Sequence, residues 1–241
     1  MGTIRKCFLA IAAICFASAL SAGAATATPI SFTGSSGNLA ASATFDTSGS
    51  NLIVTLTNTS LSDVLVPTDV LTAVFFDIGG DPALTPVSAV ICGTCSVLFA
   101  PAGGSGPNVG GEWAYVLDEG ISSSGLGIFG PGDRFPGSNL QGPDSPDGLQ
   151  YGITSAGDDP ATGNAAVTGG NALIKNSVNF TLSGLPAGFD PSTAISNVVF
   201  QYGTSLEDPH FPGNPPSVPE PATLGLMGIG LLGIGAMWRR R

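Results

Sequence analysis

The chain has 241 residues, with Gly 35, Pro 19, 10% charged residues and a formal net charge of −10. Charged residues normally make up about a quarter of a globular protein, and a nucleic-acid binder needs a basic face to displace counterions; the balance here excludes a nucleic-acid partner. One His and four Cys leave little material for a His-ligated metal centre or a His-dependent nucleophile.

In chain order, Arg5 and Lys6 precede an apolar run from Cys7 to Leu20, and small residues follow through Ala27. The run is too short to span a bilayer and leads into A-x-A sites, so residues 1–27 form a secretory signal peptide with cleavage expected after Ala27. Cys15 follows Ile14, not the small residue a lipid-attachment site needs.

Residues 28–206 are expected to be one exported domain, long enough for a full core. Arg134 and Lys175 are its basic residues against many carboxylates, so the exported part is more acidic than the whole chain. Leu52, Val54 and Leu56 alternate with Ile53, Thr55 and Thr57. Val70, Val74, Phe76 and Ile78 share a face before Gly79-Gly80. Trp113, Tyr115 and Leu117 alternate, as do Val178, Phe180 and Leu182, and then Val198, Phe200 and Tyr202. Short period-2 runs separated by Gly, Pro, Asn and Ser predict an all-β fold, an antiparallel β-sandwich of jelly-roll or immunoglobulin-like type, with a barrel as the alternative. Residues 101–112 and 130–170 are Gly-, Pro- and Asp-rich and are expected as long loops.

Two groups could carry chemistry in this domain. Cys92-Gly93-Thr94-Cys95 is the Cys pair left once Cys7 and Cys15 leave with the signal; in an oxidising compartment a disulfide-closed turn is expected rather than a redox site, which needs a helix N-terminus. Asp144, Asp147, Asp158 and Asp159 lie among Gly, Ser and Pro. Carboxylates on flexible loops suit Ca²⁺, whereas turn chemistry alone also explains them, and no EF-hand or nonapeptide repeat occurs. No other cofactor is expected. His210 falls in a Pro-rich stretch, 207–218, expected as a semi-rigid spacer.

Beyond the spacer, Pro219-Glu220-Pro221 leads into an apolar segment, 222–238, closed by Arg239, Arg240 and Arg241. A helix of that length reaches roughly 25 Å, close to the hydrocarbon thickness, and the Arg cluster orients it with its C-terminus inside. The two prolines keep the preceding motif extended just outside the bilayer.

This ordered set, Val218-Pro219-Glu220-Pro221, a Gly-rich apolar helix and a terminal Arg cluster, resembles the PEP-CTERM sorting signal of Gram-negative bacteria. The resemblance covers the chain from about Val218 onward. It implies that exosortase, a membrane protease-transpeptidase, recognises Pro219, Glu220 and Pro221, and that the inner membrane holds the chain only transiently. The processed protein is then expected at the cell surface, outer membrane or extracellular matrix. Gly148–Ile153 through Pro160, and Phe180–Pro186, also resemble stretches of other exosortase-dependent surface proteins.

The expected function is structural or adhesive, in or on extracellular polysaccharide (a biofilm matrix component), and not enzymatic. One alternative is a Ca²⁺-stabilised carbohydrate-binding module, which requires Trp113, Tyr115 or Tyr202 to be exposed as a sugar platform. The other is a secreted glycan hydrolase, which requires two carboxylates about 5–10 Å apart in a cleft.

Overall fold

The structure is a computed structural model and describes residues 28–93, 96–99, 107–124, 138–140, 148–168 and 171–216. Among the described residues there are fourteen strands: β1 (Ile30–Ser36), β2 (Leu39–Ser48), β3 (Asn51–Asn58), β4 (Leu71–Ile78), β5 (Thr85–Ile91), β6 (Val97–Leu98), β7 (Ala114–Val116), β8 (Gly120–Ser122), β9 (Ser138–Asn139), β10 (Ile153–Thr154), β11 (Ile174–Lys175), β12 (Ser177–Ser183), β13 (Ile195–Tyr202) and β14 (His210–Pro212). The α-helix among the described residues is a single turn, α1 (Pro191–Ala194), capped by Asp190, whose carboxylate accepts the Ser192 N–H. The all-β expectation holds.

The strands form two sheets. One has five strands in the order β1-β2-β3-β12-β5, all antiparallel. The other has nine and is built around β4, which pairs with β13, β8 and β10. This second sheet is mixed, because β10 and β11 run parallel. The antiparallel expectation is corrected there: the chain from 155 to 173 separates the two strands, and a parallel pair needs such a crossover.

The alternation seen in the sequence sets the faces. β3 alternates half-buried and buried along its whole length, which places Leu52, Val54 and Leu56 inward. In β12 the same period buries Val178, Phe180 and Leu182. The first half of β4 departs from it: Leu71, Thr72, Ala73 and Val74 are all buried, as expected of a central strand covered on both faces. Leu117 also departs from its run. It sits in the turn after β7, 37% exposed, where Asp118 takes a left-handed φ of 59°.

The two sheets share one core. Phe45 of the first sheet meets Phe76 of the second edge-to-face at 4.9 Å, and Trp113 lies 4.8 Å from Phe180. Such pairs add about 0.5–1.5 kcal/mol each beyond the area they bury. A smaller cluster, Val64, Val70, Val167 and Leu173, sits apart from it.

Candidate functional site

The end of the domain where the chain leaves toward residue 217 is built from β13, the turn after it, and β14. Gln201 is buried, and its amide donates to the carbonyls of Tyr202 (2.7 Å) and Ser205 (2.8 Å). Asp208 accepts the N–H groups of Thr204 (2.9 Å) and Ser205 (3.0 Å). The turn therefore satisfies its own polar groups and returns the chain antiparallel to β13, with Phe200 opposite Phe211. Phe211 is buried against Phe200 at 5.9 Å and Tyr202 at 5.6 Å.

The chain then crosses to the other sheet. Thr33 of β1 and Asn214 exchange both backbone hydrogen bonds, at 2.9 and 2.8 Å. Gly34 makes the approach possible, since a Cβ there would meet the Phe211 ring at 2.8 Å. The last folded residues are thus a clasp that joins the second sheet to the first strand of the first sheet. This corrects the expectation for 207–218: the stretch is folded as far as Asn214, and the domain does not stop at 206. His210, expected in a free linker, is an exposed residue of β14. The missed signal was Phe211, a large apolar residue among prolines, which a solvated spacer has no reason to carry.

The acidic loops resolve differently. Asp144 and Asp147 lie outside the described residues. Asp158 is buried, 3% exposed, and one carboxylate oxygen accepts the Val64 N–H at 3.3 Å; its other oxygen has no partner among the described residues. Asp159 is exposed and accepts the Ala161 N–H. The two carboxylates therefore serve different neighbours, and among the described residues no three His, Cys, Asp or Glu side chains gather as a metal site. Asp63, not singled out from sequence, is the carboxylate that joins these loops. It accepts the N–H groups of Asp159 (2.8 Å) and Val64 (3.0 Å) and the Thr162 hydroxyl (2.6 Å).

These two carboxyls titrate in opposite senses. Burial pushes Asp158 above the ordinary 3.8 against the Val64 N–H, and the nearby Asp63 adds to the rise. The Asp159 N–H, then the Thr162 hydroxyl, hold Asp63 below 3.8. Stability from Asp158 is complete below 3.8 and is lost as pH rises through its raised folded value; stability from Asp63 is complete above 3.8 and is lost as pH falls. Asp158→Asn keeps the acceptor for Val64 and removes the buried charge. It is expected to melt higher than wild type at pH 7, where the wild-type carboxylate is charged, and at the same temperature at pH 3. Thermal melts at the two pH values check this, and an unchanged or lower melting temperature at pH 7 contradicts it.

The aromatic residues named for a sugar platform are all interior: Trp113 and Tyr202 are 0% exposed and Tyr115 is 5%. Burial pushes the Tyr115 hydroxyl up to about 12. This overturns the platform expectation, because each ring spends its faces on the core. Cys92 is disulfide-bonded, while Cys95 lies outside the described residues. So do the signal peptide with Ala27, the segment 222–238 and the Arg cluster. Among the described residues no helix is long and apolar enough to cross a membrane.

Residues 217–241 match the PEP-CTERM protein-sorting motif. The chain carries a PEP-CTERM sorting signal. Neither a curated protein nor a solved structure matches the chain. A PEP-CTERM chain is an exosortase-targeted protein, exported through the membrane to the surface or the extracellular space. In this PEP-CTERM protein the match begins directly after the clasp. From Asn214 to Pro219 the backbone reaches at most about 18 Å, so the motif is tethered close to the folded domain.

Proposed function

We propose that the mature protein is a structural or adhesive, non-catalytic component of the extracellular polysaccharide layer, released to it by exosortase at Pro219-Glu220-Pro221. The observation that carries this reading is the sorting motif at 217–241, joined to an acidic all-β domain. The side chains also support it. The aromatic residues that would stack on a sugar are spent on the core. The cleft that carries both Asp63 and Asp69 is about 100 Å³, below the roughly 300–1,000 Å³ of small-ligand sites. Both of its carboxylates are engaged by backbone N–H groups, Asp69 by those of Leu65 and Val66.

An acidic domain of this kind binds an anionic glycan through shared divalent cations rather than by direct attraction. The test is co-sedimentation of the purified mature protein with the host's extracellular polysaccharide, with Ca²⁺ and then with chelator. Retention that chelator releases is expected; protein that stays in the supernatant in both conditions contradicts the reading.

A further inference from the structure

An open groove of about 850 Å³ lies at the end of the domain where both termini leave. Its wall comes from three places: the first residues after the signal peptide (Pro29, Ile30), the middle of β13 (Val198, Val199), and the clasp exit (Pro215, Pro216). None of the lining side chains is charged, although the domain is strongly acidic. A bulge lies on the β13 side. The register with β4 shifts between Ser196 and Val199, Asn197 takes a left-handed φ of 50°, and its amide is tied to Asp77 at 2.5 Å. Two residues so leave the ladder beside the groove.

The groove exists only when the fold is complete. Its walls meet because Asn214 is bonded to Thr33 and Phe211 is seated on Phe200. Residues from the two ends of the domain, Thr28 to Phe32 and Pro212 to Pro216, contribute to its lining together. An incompletely folded chain has the sorting motif but not the groove.

We propose that this groove is a docking surface for the extracytoplasmic face of the sorting enzyme, so that processing is fastest on a chain whose first and last strands have met. The proposal rests on the exosortase reading. Continuity fixes the occupant: Pro216 lines the groove and the matched motif starts at the next residue. Pro219 can lie no further than about 11 Å from Pro216, so an enzyme closed on Pro219-Glu220-Pro221 abuts this end of the domain. Its complement is an apolar, uncharged segment, which matches the uncharged lining of the groove.

The test is a pulse–chase in the exosortase-bearing host, following loss of the C-terminal tail by mass. Four full-length chains are compared with wild type: Ser196→Lys and Pro212→Lys, which place a charge at exposed positions of the groove; Leu61→Lys, exposed and outside it; and the triple alanine substitution of Pro219, Glu220 and Pro221. Unchanged protease resistance of the domain confirms that each variant folds. Both groove variants are expected to lose the tail at least about tenfold more slowly, the consequence of about 1.4 kcal/mol of lost docking, while Leu61→Lys matches wild type. Wild-type rates in both groove variants, with the triple variant blocked, overturn the groove and leave the sorting reading standing. Tail loss in the triple variant overturns both. A change in oligomeric state of the mature groove variants at unchanged processing rate assigns the groove to a second copy and also overturns the proposal.

Discussion

Gly120→Val is expected to remove a large share of the domain's stability. Gly120 opens β8 at a φ of 118°, a conformation closed to side chains with a Cβ. A Cβ there would also strike the Val74 carbonyl and come within 2.7 Å of the Phe75 Cα. Both belong to β4, the strand that β13, β8 and β10 share. The obstacle is backbone, so no rotamer relieves it. Strain and overpacking together cost about 4 kcal/mol, against total stabilities of about 5–15 kcal/mol. Gly37→Ala provides the contrast: its φ is +59° but a Cβ there meets open space, so the cost is about 1 kcal/mol. Denaturant titration of the two variants checks the difference. Equal midpoints for both would mean that the approach of β8 to β4 does not constrain the fold.

Phe211→Ala should open the clasp. The ring is 6% exposed and packs on Phe200 and Tyr202, so its removal costs about 3–5 kcal/mol. The loss is local in origin, because among the described strands β14 pairs with β13 alone, and its link to β1 is the packing of Phe211 beside Gly34 and the Thr33–Asn214 bridge. Amide exchange should therefore rise first at Asn214 and along β14, ahead of β2, β3 and β12, whose ladders are long. Uniform loss of protection across both sheets would show that the clasp is not a separate unit of stability.

What could be read from the sequence follows the physics of each segment. The period-2 runs around Leu52, Phe180 and Phe200 gave correct strands with correct inward faces, because one-sided burial writes itself into every second residue. The same rule fails at Leu71–Val74, where both faces are covered and alternation disappears. It fails again at β14, where three residues carry too short a pattern and Pro212 suggests a linker. The parallel pair β10–β11 was invisible, since two-residue strands leave no period and pairing direction depends on the chain between them. The sorting motif was legible because it is a linear signal whose parts act in sequence order. The role of Asp63 was not: three donors from Val64, Asp159 and Thr162 converge on it only through tertiary structure. Trp113, Tyr115 and Tyr202 carry no mark in the sequence that separates a core ring from a sugar platform.

The most direct test of the account is the intact mass and location of the mature protein, for wild type and for the chain with Pro219, Glu220 and Pro221 replaced by alanine. The account predicts a wild-type protein that begins after Ala27, lacks the residues beyond the sorting motif, and is found at the surface or outside the cell. The variant should keep Arg239, Arg240 and Arg241 and stay in the inner membrane. If both forms keep the Arg cluster and remain in the inner membrane, the segment is a plain anchor, and export to the surface by this route is contradicted.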